Sequence, residues 1–168
     1  MDDLQAFLDR HAIDGRLIRD LGHTLTVPAA AAVLGVAPDQ IIKTLLFVLD
    51  GGPSKPAVPP EVVVIGCGER RIDKTALGRH FGLNPKRIKL AHPDVVVDRL
   101  GYPAGGVPPF GHRTTLPVIL DAAVIEQAQR YADRIFGGGG DDHTMLELRV
   151  SDLLRIHSPT VLALSVGA

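Results

Sequence analysis

Two long apolar segments lie close together near the middle of the chain and restrict the folds it can adopt. The first is IIKTLLFVLD, residues 41–50, and the second is EVVVIGCG, residues 61–68. Nearly continuous apolar runs of this length are typical of strands that are covered on both faces. The segment between them, GGPSKPAVPP, is too short for a domain linker and indicates a hairpin or loop. The sequence therefore predicts two buried strands joined by a Pro- and Gly-rich connection.

Short helices are predicted between further strands. Apolar residues from Leu4 to His11 follow the spacing of an amphipathic helix. A second helix is expected to start after Thr26, with Pro28 in its first turn, and to end at Gly35. Asp73 and Gly82 mark the helix KTALGRHF in the same way. Later helices are expected over HPDVVVDRL, over AAVIEQAQRYA, and after a capping residue at Ser151.

The remaining strands are predicted at RLIRDL, KRIKLA, TTLPVILD, MLELRV and TVLALSV. Some strands follow each other directly and others follow a helix, which argues against a regular doubly wound sheet. We expect an α/β fold of the mixed α+β kind, with a curled, barrel-like mixed sheet of about seven strands and short helices packed outside. A chain of 168 residues is expected to form a single domain over residues 1–168.

Composition limits the partners and the location. The formal net charge of −1 gives no global attraction for a polyanion, and the absence of Trp argues against a general single-strand binder. No apolar run approaches the roughly 18 residues of a membrane span, and MDDLQAFLDR is unlike a signal peptide. One cysteine is compatible with a reducing compartment. The sequence indicates a cytoplasmic protein that does not bind a membrane.

Lys43 lies inside the first apolar run and has two interpretations. An unpaired buried ammonium costs several kcal/mol, so its side chain must either reach water at a sheet edge or end in a polar cavity. An edge lysine discourages aggregation. A lysine in a cavity is a cation held ready for a phosphate or a carboxylate.

The segment GYPAGGVPPFG, residues 101–111, has no charge and no nucleophile. It could be a rigid surface turn. Alternatively, glycines permit close backbone approach while Pro108 and Pro109 fix the turn. The N–H groups of Gly105, Gly106 and Val107 could then point at an acceptor, as an oxyanion site requires.

Other motifs are weaker. VVVIGCGERRIDK has only part of a dinucleotide fingerprint, and no Gly-x-Ser-x-Gly motif is present. Cys67 is better explained as a small buried thiol than as a nucleophile. His92, His112 and the run Asp141 to His143 lack the spacing of zinc ligands. We expect no metal and no cofactor. A basic group that could contact an RNA backbone comprises Arg70, Arg71, Lys74, Lys86, Arg87 and Lys89.

The order of motifs resembles the YbaK/EbsC family of prolyl-tRNA-editing-type aminoacyl-tRNA deacylases. The resemblance runs from about Thr26 to Ile156 through TVPAAAAVLGVAPDQIIKTLLF, GERRID and GYPAGGVPPFG. It implies a domain that hydrolyses the ester linking a wrong amino acid to tRNA. It also implies that Lys43 is the central functional residue and that Gly105 to Pro109 line the pocket beside the aminoacyl group.

The expected site follows from the resemblance and the loop chemistry together. Lys43 would hold a phosphate or polar ligand group, and Gly105 and Gly106 would stabilise the oxyanion. Water would be the attacking group. The residues expected to bind the substrate are Thr44, Val27, Gly101, Val107, Pro108, Pro109 and Gly111, with Pro28 as a further wall.

Two departures from the family pattern affect the substrate. Pro108 stands where relatives that act on cysteinyl-tRNA commonly have serine, which argues against cysteine. Ala76 stands near a position where the family often has lysine.

The predicted function is trans-editing hydrolysis of a mischarged aminoacyl-tRNA that carries a small amino acid, with tRNA-Pro as a candidate. Binding of the acceptor end is expected to be weak and assisted by prolyl-tRNA synthetase or an elongation factor. The alternatives are a non-catalytic module that binds an aminoacyl or nucleotide end or a synthetase, and a metal hydrolase built on His112, Asp141 and His143.

Overall fold

The computed structural model describes residues 3–166. Its six α-helices are α1 (Asp3–Arg10), α2 (Val27–Leu34), α3 (Lys74–Phe81), α4 (Pro93–Leu100), α5 (Ala122–Gln129) and α6 (Val150–His157). Its ten strands are β1 (Arg16–Ile18), β2 (Ile42–Leu49), β3 (Glu61–Cys67), β4 (Arg71–Ile72), β5 (Ile88–Leu90), β6 (Val118–Asp121), β7 (Arg134–Gly138), β8 (Met145–Arg149), β9 (Thr160–Leu162) and β10 (Ser165–Val166). Short 3₁₀ turns, Pro38–Gln40 and Pro85–Arg87, precede β2 and β5.

Local capping signals determine where several helices begin and end. Thr26 accepts a hydrogen bond from the Ala29 N–H at the start of α2, and Gly35 ends that helix with φ +69°. Asp73 caps α3 by accepting from the Thr75 N–H. The predicted helix boundaries at these positions are confirmed, because side-chain caps satisfy N–H groups that the helix itself leaves free.

The main sheet has five strands in the order β5-β2-β3-β6-β9. Strand β2 is antiparallel to both β3 and β5, whereas β3, β6 and β9 are parallel to one another. The short loop between β2 and β3 permits the antiparallel pair, and parallel strands need the longer crossovers that contain helices. The mixed α/β architecture is therefore confirmed.

The barrel-like sheet was a wrong expectation. The five-stranded sheet ends at β5 on one side and β9 on the other, so it does not close. The other described strands form a three-stranded sheet, β1-β8-β7, and a two-stranded sheet, β10-β4. A single parallel bridge between Ile41 and Phe136 joins β7 to the start of β2. Strands this short and divided among three sheets leave too few partners for closure.

Two local predictions also differ from the structure. TVLALSV contains two strands that belong to different sheets. Helix α6 begins at Val150, so Ser151 lies inside it and donates its hydroxyl hydrogen bond to Asp133. These differences arise because strand pairing and side-chain partners depend on segments far away in the sequence.

Apolar side chains cover both faces of the main sheet, as the two apolar runs indicated. On one face, Ile42 and Leu46 belong to a buried cluster that includes residues of α1, α5 and α6. On the other face, Phe47 and Leu49 pack in a cluster with Leu77 of α3. Each helix within residues 3–166 has eight residues. A bilayer requires about 20, so none of these helices could cross a membrane.

Strand β5 covers only part of its neighbour. It pairs with Phe47–Leu49 at the end of β2, while the first half of β2 pairs with β3 on the opposite edge. The start of β2 is thus available to other parts of the chain, and the candidate site lies there.

Candidate active site

A cavity of about 200 Å³, called the Lys43 cavity below, lies beside the first half of β2. Its volume is below the roughly 300–1,000 Å³ of cavities that enclose drug-sized ligands, so it suits a small chemical group. Its lining residues come from five separate parts of the chain. They are Thr24, Leu25, Thr26, Val27, Ala30, Ile41, Ile42, Lys43, Thr44, Leu45, Gly105, Val107, Gly138 and Met145.

Lys43 is half-buried on β2, opposite Gly66 of β3. A Cβ atom at Gly66 would lie 3.3 Å from Lys43 Cε, so the glycine leaves room for the lysine stem. The Lys43 Nζ donates a hydrogen bond to the carbonyl oxygen of Arg70. Burial lowers the pKa of Lys43, and nearby acidic groups act in the opposite direction. Lys43 therefore occupies a polar environment rather than an open sheet edge.

Thr44 points to the opposite face of β2 from Lys43, because successive side chains in a strand alternate. The cavity lies beside the strand, so residues of both faces line it. Thr44 is 8% exposed, and its Oγ1 has no hydrogen-bond partner among the described residues. An unpaired buried hydroxyl costs about 1–3 kcal/mol. This hydroxyl is thus an unpaired polar group of a residue that lines the cavity.

The pocket loop, Gly105 to Pro109, forms another wall of the cavity. Gly105 has φ +86°, and a Cβ atom at this position would lie 2.6 Å from the carbonyl oxygen of Leu25. Only glycine meets both conditions. The N–H groups of Gly105 and Val107 make no hydrogen bond to another described residue, and both residues line the cavity.

Gly106 has a different place in the loop. Its N–H donates to the Pro103 carbonyl oxygen at 2.9 Å, and its own carbonyl oxygen accepts from Gly140 at 2.8 Å. Both backbone groups are thus engaged within the protein. Among the N–H groups of the pocket loop, those of Gly105 and Val107 have no partner among the described residues. Val107 therefore takes the place of Gly106 as the second candidate donor.

The structure places some of the other predicted site residues in the cavity wall and others outside it. Val27 lies in the cavity wall, whereas Pro28, Pro108 and Pro109 are outside the lining set. Gly101 ends helix α4 with φ +87°, and Gly111 has φ +77° next to Phe7 of α1. The structure therefore brings Lys43, Thr44, Val27, Gly105 and Val107 together. Of the remaining positions, Pro28 lies in α2 and the others lie in or next to the loop.

Two histidines hold the proline segment of the pocket loop. His112 Nε2 lies 2.7 Å from the Pro108 carbonyl oxygen, and His157 Nε2 lies 2.6 Å from the Pro109 carbonyl oxygen. A carbonyl oxygen only accepts, so both rings donate from Nε2. His157 comes from α6, 48 residues further along the chain. No local pattern in the sequence indicates that this residue supports the loop.

Burial of His112 predicts a pH-dependent stability. Burial lowers the pKa of His112 from 6.5 to about 4. As the pH falls, this imidazole is therefore protonated in the unfolded chain before it is protonated in the folded protein. We expect this residue to reduce the free energy of unfolding by roughly 3 kcal/mol between pH 7 and pH 4. Denaturant unfolding of the wild type and of His112→Gln, which keeps an N–H donor but does not titrate, measures the effect. Parallel pH profiles of the two proteins would contradict it.

The histidine and cysteine candidates for other chemistry are not among the residues that line the Lys43 cavity. Possible ligand atoms of Asp141, Asp142 and His143 lie within 4.8 Å of one another on a largely exposed turn. His112 is bound to the pocket loop and does not join this group within the described residues. Burial raises the pKa of the Cys67 thiol to about 11, so the thiol is protonated near neutral pH.

Sequence reasoning did not identify several residues of the cavity. Thr24, Leu25, Gly138 and Met145 line it but carry no motif that points to a site. A Cβ atom at Gly138 would lie 2.5 Å from the Val107 carbonyl oxygen. A glycine in a strand can indicate such a close backbone approach, and this was the available signal for Gly138.

Comparison with protein families places most of the chain in one group. Residues 22–156 match the model of the aminoacyl-tRNA editing domain. The chain is 28% identical over 131 residues to the "Multifunctional Ser/Thr-tRNA deacylase ProXp-y" of Escherichia coli K12, covering 78% of this chain and 72% of that protein.

The chain is also similar to part of a larger enzyme. It is 31% identical over 99 residues to the proline–tRNA ligase of Geobacter sp. strain M21. This match covers 59% of the chain and 16% of the ligase, so the chain corresponds to about a sixth of that relative.

Solved structures share the fold over nearly the whole chain. The crystal structure of a protein named as a candidate trans-editing enzyme for prolyl-tRNA synthetase has a TM-score of 0.80 and 25% identity. The match covers 98% of this chain and 96% of that one.

Proposed function

The chain belongs to the aminoacyl-tRNA editing domain family, and we propose that it hydrolyses mischarged aminoacyl-tRNAs that carry a small amino acid. The observation that carries the proposal is the composition of the Lys43 cavity. A lysine, a buried hydroxyl without a partner among the described residues and two unengaged backbone N–H groups surround one space of about 200 Å³. These groups suit an ester that has a compact aminoacyl part and an adjoining phosphate.

The backbone groups of the loop provide electrostatic stabilisation. Water attacks the ester carbonyl carbon, and the carbonyl oxygen becomes the negative oxygen of a tetrahedral intermediate. The N–H groups of Gly105 and Val107 donate to this oxygen. The ribose oxygen then leaves with a proton, which gives the free amino acid and a tRNA with a free terminal hydroxyl. Removing one oxyanion donor from an enzyme costs about 3 kcal/mol of transition-state stabilisation.

Lys43 binds the terminal phosphate of the tRNA as a cation in this mechanism. Its ammonium already lies against the Arg70 carbonyl beyond the end of β3, which limits the positions it can adopt. An aminoacyl ester is already reactive, so fixing its geometry and stabilising the oxyanion are sufficient for hydrolysis. No side-chain nucleophile is required.

The wall of the cavity sets the choice of amino acid. Val27, Ala30, Val107 and Met145 are apolar wall residues, and they exclude larger side chains by contact. The Thr44 hydroxyl favours a side chain or an α-amino group that can hydrogen-bond with it. Serine, threonine and alanine are therefore the first substrates to test.

We assign the activity to residues 1–168 as one domain, because α1 packs in the same core cluster as the main sheet. The relative that is a proline–tRNA ligase makes tRNA-Pro the first tRNA to test. A net charge of −1 implies weak, salt-sensitive RNA binding, which prolyl-tRNA synthetase or an elongation factor would assist. A tRNA substrate and a single buried cysteine fit a cytoplasmic location.

A deacylation assay tests the proposal directly. Purified protein is incubated with tRNA-Pro charged with alanine, serine, threonine, cysteine or proline, and the remaining ester is measured over time. We expect hydrolysis of one or two small aminoacyl esters and preservation of prolyl-tRNA. Absence of hydrolysis across the panel would contradict the proposed activity.

Replacing Thr44 should separate activity from stability. In Thr44→Val, the free energy of unfolding should stay the same or rise by about 1 kcal/mol, because an unpaired hydroxyl is removed at constant shape. Deacylation should fall about tenfold as a contact to the substrate is lost. Thr144→Val is the matched control, since Thr144 Oγ1 is also buried without a partner among the described residues but Thr144 does not line the cavity. Equal activity in the two variants would contradict the role of Thr44.

A further inference from the structure

The carbonyl oxygen that holds the Lys43 ammonium belongs to Arg70, which is not one of the residues lining the Lys43 cavity. The place of the ammonium therefore depends on what fixes Arg70, and Arg70 is followed directly by β4. Ile72 of β4 also lies beside the lysine stem. A Cβ atom at Gly66 would lie 2.9 Å from Ile72 Cδ1 and 3.3 Å from Lys43 Cε. The position of β4 thus determines the surroundings of the Lys43 side chain.

Strand β4 is held by β10, near the C-terminal end of the described chain. It has two residues, and among the described strands it pairs only with β10. The N–H of Asp73, the residue after β4, donates to the Leu164 carbonyl oxygen at 2.7 Å. A pair of two-residue strands is marginally stable on its own. The segment 164–166 therefore needs a separate anchor in order to hold β4 in place.

Asp121 provides this anchor. It is 1% exposed and ends β6, a strand of the main sheet. Its carboxylate accepts from the Leu164 N–H at 3.1 Å and from the Ser165 hydroxyl. It also caps α5 by accepting from the Ala123 N–H at 3.2 Å. A serine or threonine would be sufficient for the cap, so the other two contacts, which connect the main sheet to β10, are what the buried carboxylate adds.

The charge of Asp121 also acts on Lys43. The three groups that donate to the carboxylate are neutral, so none of them cancels its charge. Burial lowers the pKa of Lys43, and three acidic groups act in the opposite direction, namely Cys67, Asp121 and Glu69. The Cys67 thiol is protonated near neutral pH, and Glu69 is exposed. Asp121 is therefore the buried carboxylate of this set, and it favours the charged form of the lysine.

We propose that Asp121 is a positioning residue for Lys43. Its carboxylate fixes Leu164 and Ser165, these residues hold β4, and β4 fixes the Arg70 carbonyl oxygen that accepts from the ammonium. Asp121 does not line the Lys43 cavity, so it acts through Lys43 rather than on the substrate. The consequence for deacylation rests on the proposed function, whereas the effect on the ammonium does not.

Exchange of the Lys43 ammonium protons with water tests the inference without tRNA. The chain has five lysines, so protein with ¹⁵N-labelled lysine side chains gives few NMR signals, and Lys43→Met identifies the signal of Lys43. Asp121→Asn keeps an acceptor oxygen but removes the charge, and Ser165→Ala removes one donor but keeps the charge. We expect exchange to be about tenfold faster in each variant, because the ammonium loses its fixed acceptor. Exchange at the wild-type rate in both folded variants would overturn the inference.

Asp152→Asn is the matched control for a general loss of stability. Asp152 is another buried aspartate, and it accepts from the Asp14 N–H and from Arg155, neither of which belongs to β4 or β10. The substitution should lower the free energy of unfolding and leave the exchange of the Lys43 protons unchanged. Equally fast exchange in this variant would overturn the assignment to Asp121. If Asp121→Asn does not fold, the milder Ser165→Ala decides the question.

A double-mutant cycle of deacylation tests whether Asp121 acts through Lys43. We expect Asp121→Asn to slow single-turnover hydrolysis about tenfold in the wild-type background and to have no further effect in Lys43→Met. An equal reduction in both backgrounds would indicate a general structural role and overturn the inference. A protein that hydrolyses no ester but shows the expected exchange rates would contradict the proposed function and leave the positioning role of Asp121 supported.

Discussion

Lys43→Ala is expected to lower the rate of deacylation at limiting tRNA concentration by about 10- to 100-fold, because it removes a charged contact to the terminal phosphate, which is worth about 1.5–3 kcal/mol. The charge is the relevant property, because the side chain lines the cavity and its ammonium is held at the Arg70 carbonyl. Single-turnover hydrolysis of the best aminoacyl-tRNA substrate measures the effect. Full activity in the variant would show that the mechanism proposed for Lys43 is wrong.

A pair of methionine variants controls for packing and for charge. Lys43→Met keeps the stem that packs beside Gly66 but removes the charge, so it should fold at least as stably and be as inactive as Lys43→Ala. Lys55→Met removes one exposed lysine charge from the loop between β2 and β3, outside the basic group, and should retain deacylation. If Lys43→Met is active while Lys43→Ala is not, the lysine acts through its packing.

Gly105→Ala should have the second large effect. The positive φ of +86° disfavours alanine, and the added Cβ would lie 2.6 Å from the backbone oxygen of Leu25. We expect a loss of more than about 2 kcal/mol in the free energy of unfolding, because the left-handed conformation alone costs about 1–2 kcal/mol. Deacylation should fall about 100-fold as the displaced loop moves the oxyanion donors. Denaturant unfolding and single-turnover hydrolysis measure the two effects.

Gly35→Ala separates conformational strain from displacement of the loop. Gly35 has φ +69°, but none of the described atoms lies within 4 Å of the place that its Cβ would occupy, so the substitution causes strain without a clash. It should cost about 1–2 kcal/mol of stability and leave deacylation unchanged. Activity equal to wild type in Gly105→Ala would contradict the role of the loop.

The cavity explains how the proposed ester hydrolysis could proceed without a side-chain nucleophile. Cys67 is buried and its pKa is raised, and no histidine in the described part of the chain lines the Lys43 cavity. The chemistry available in the cavity is therefore donation from backbone N–H groups, the positive charge of Lys43 and exclusion of large side chains by the cavity wall. His112 and His157 contact the loop through the carbonyl oxygens of Pro108 and Pro109.

Local features of the sequence predicted many elements correctly. The caps at Thr26 and Asp73 and the glycines at Gly35 and Gly82 are recognised within a few residues, because capping satisfies backbone groups nearby. The run from Ile42 to Leu49 forms the predicted buried strand. Motif order was sufficient for the resemblance to the editing family, which the family comparison confirms.

Local patterns and motif order were enough to specify the short helices, the central strands and the family. The division of the strands into sheets, and the set of residues that meet around β2, became known only from the folded chain. Strand β7 and His157 carry weak local signals, and Gly106 carried a misleading one because its N–H donates to the Pro103 carbonyl. Pairings of this kind depend on segments far apart in the chain, and local propensity does not encode which distant groups satisfy one another.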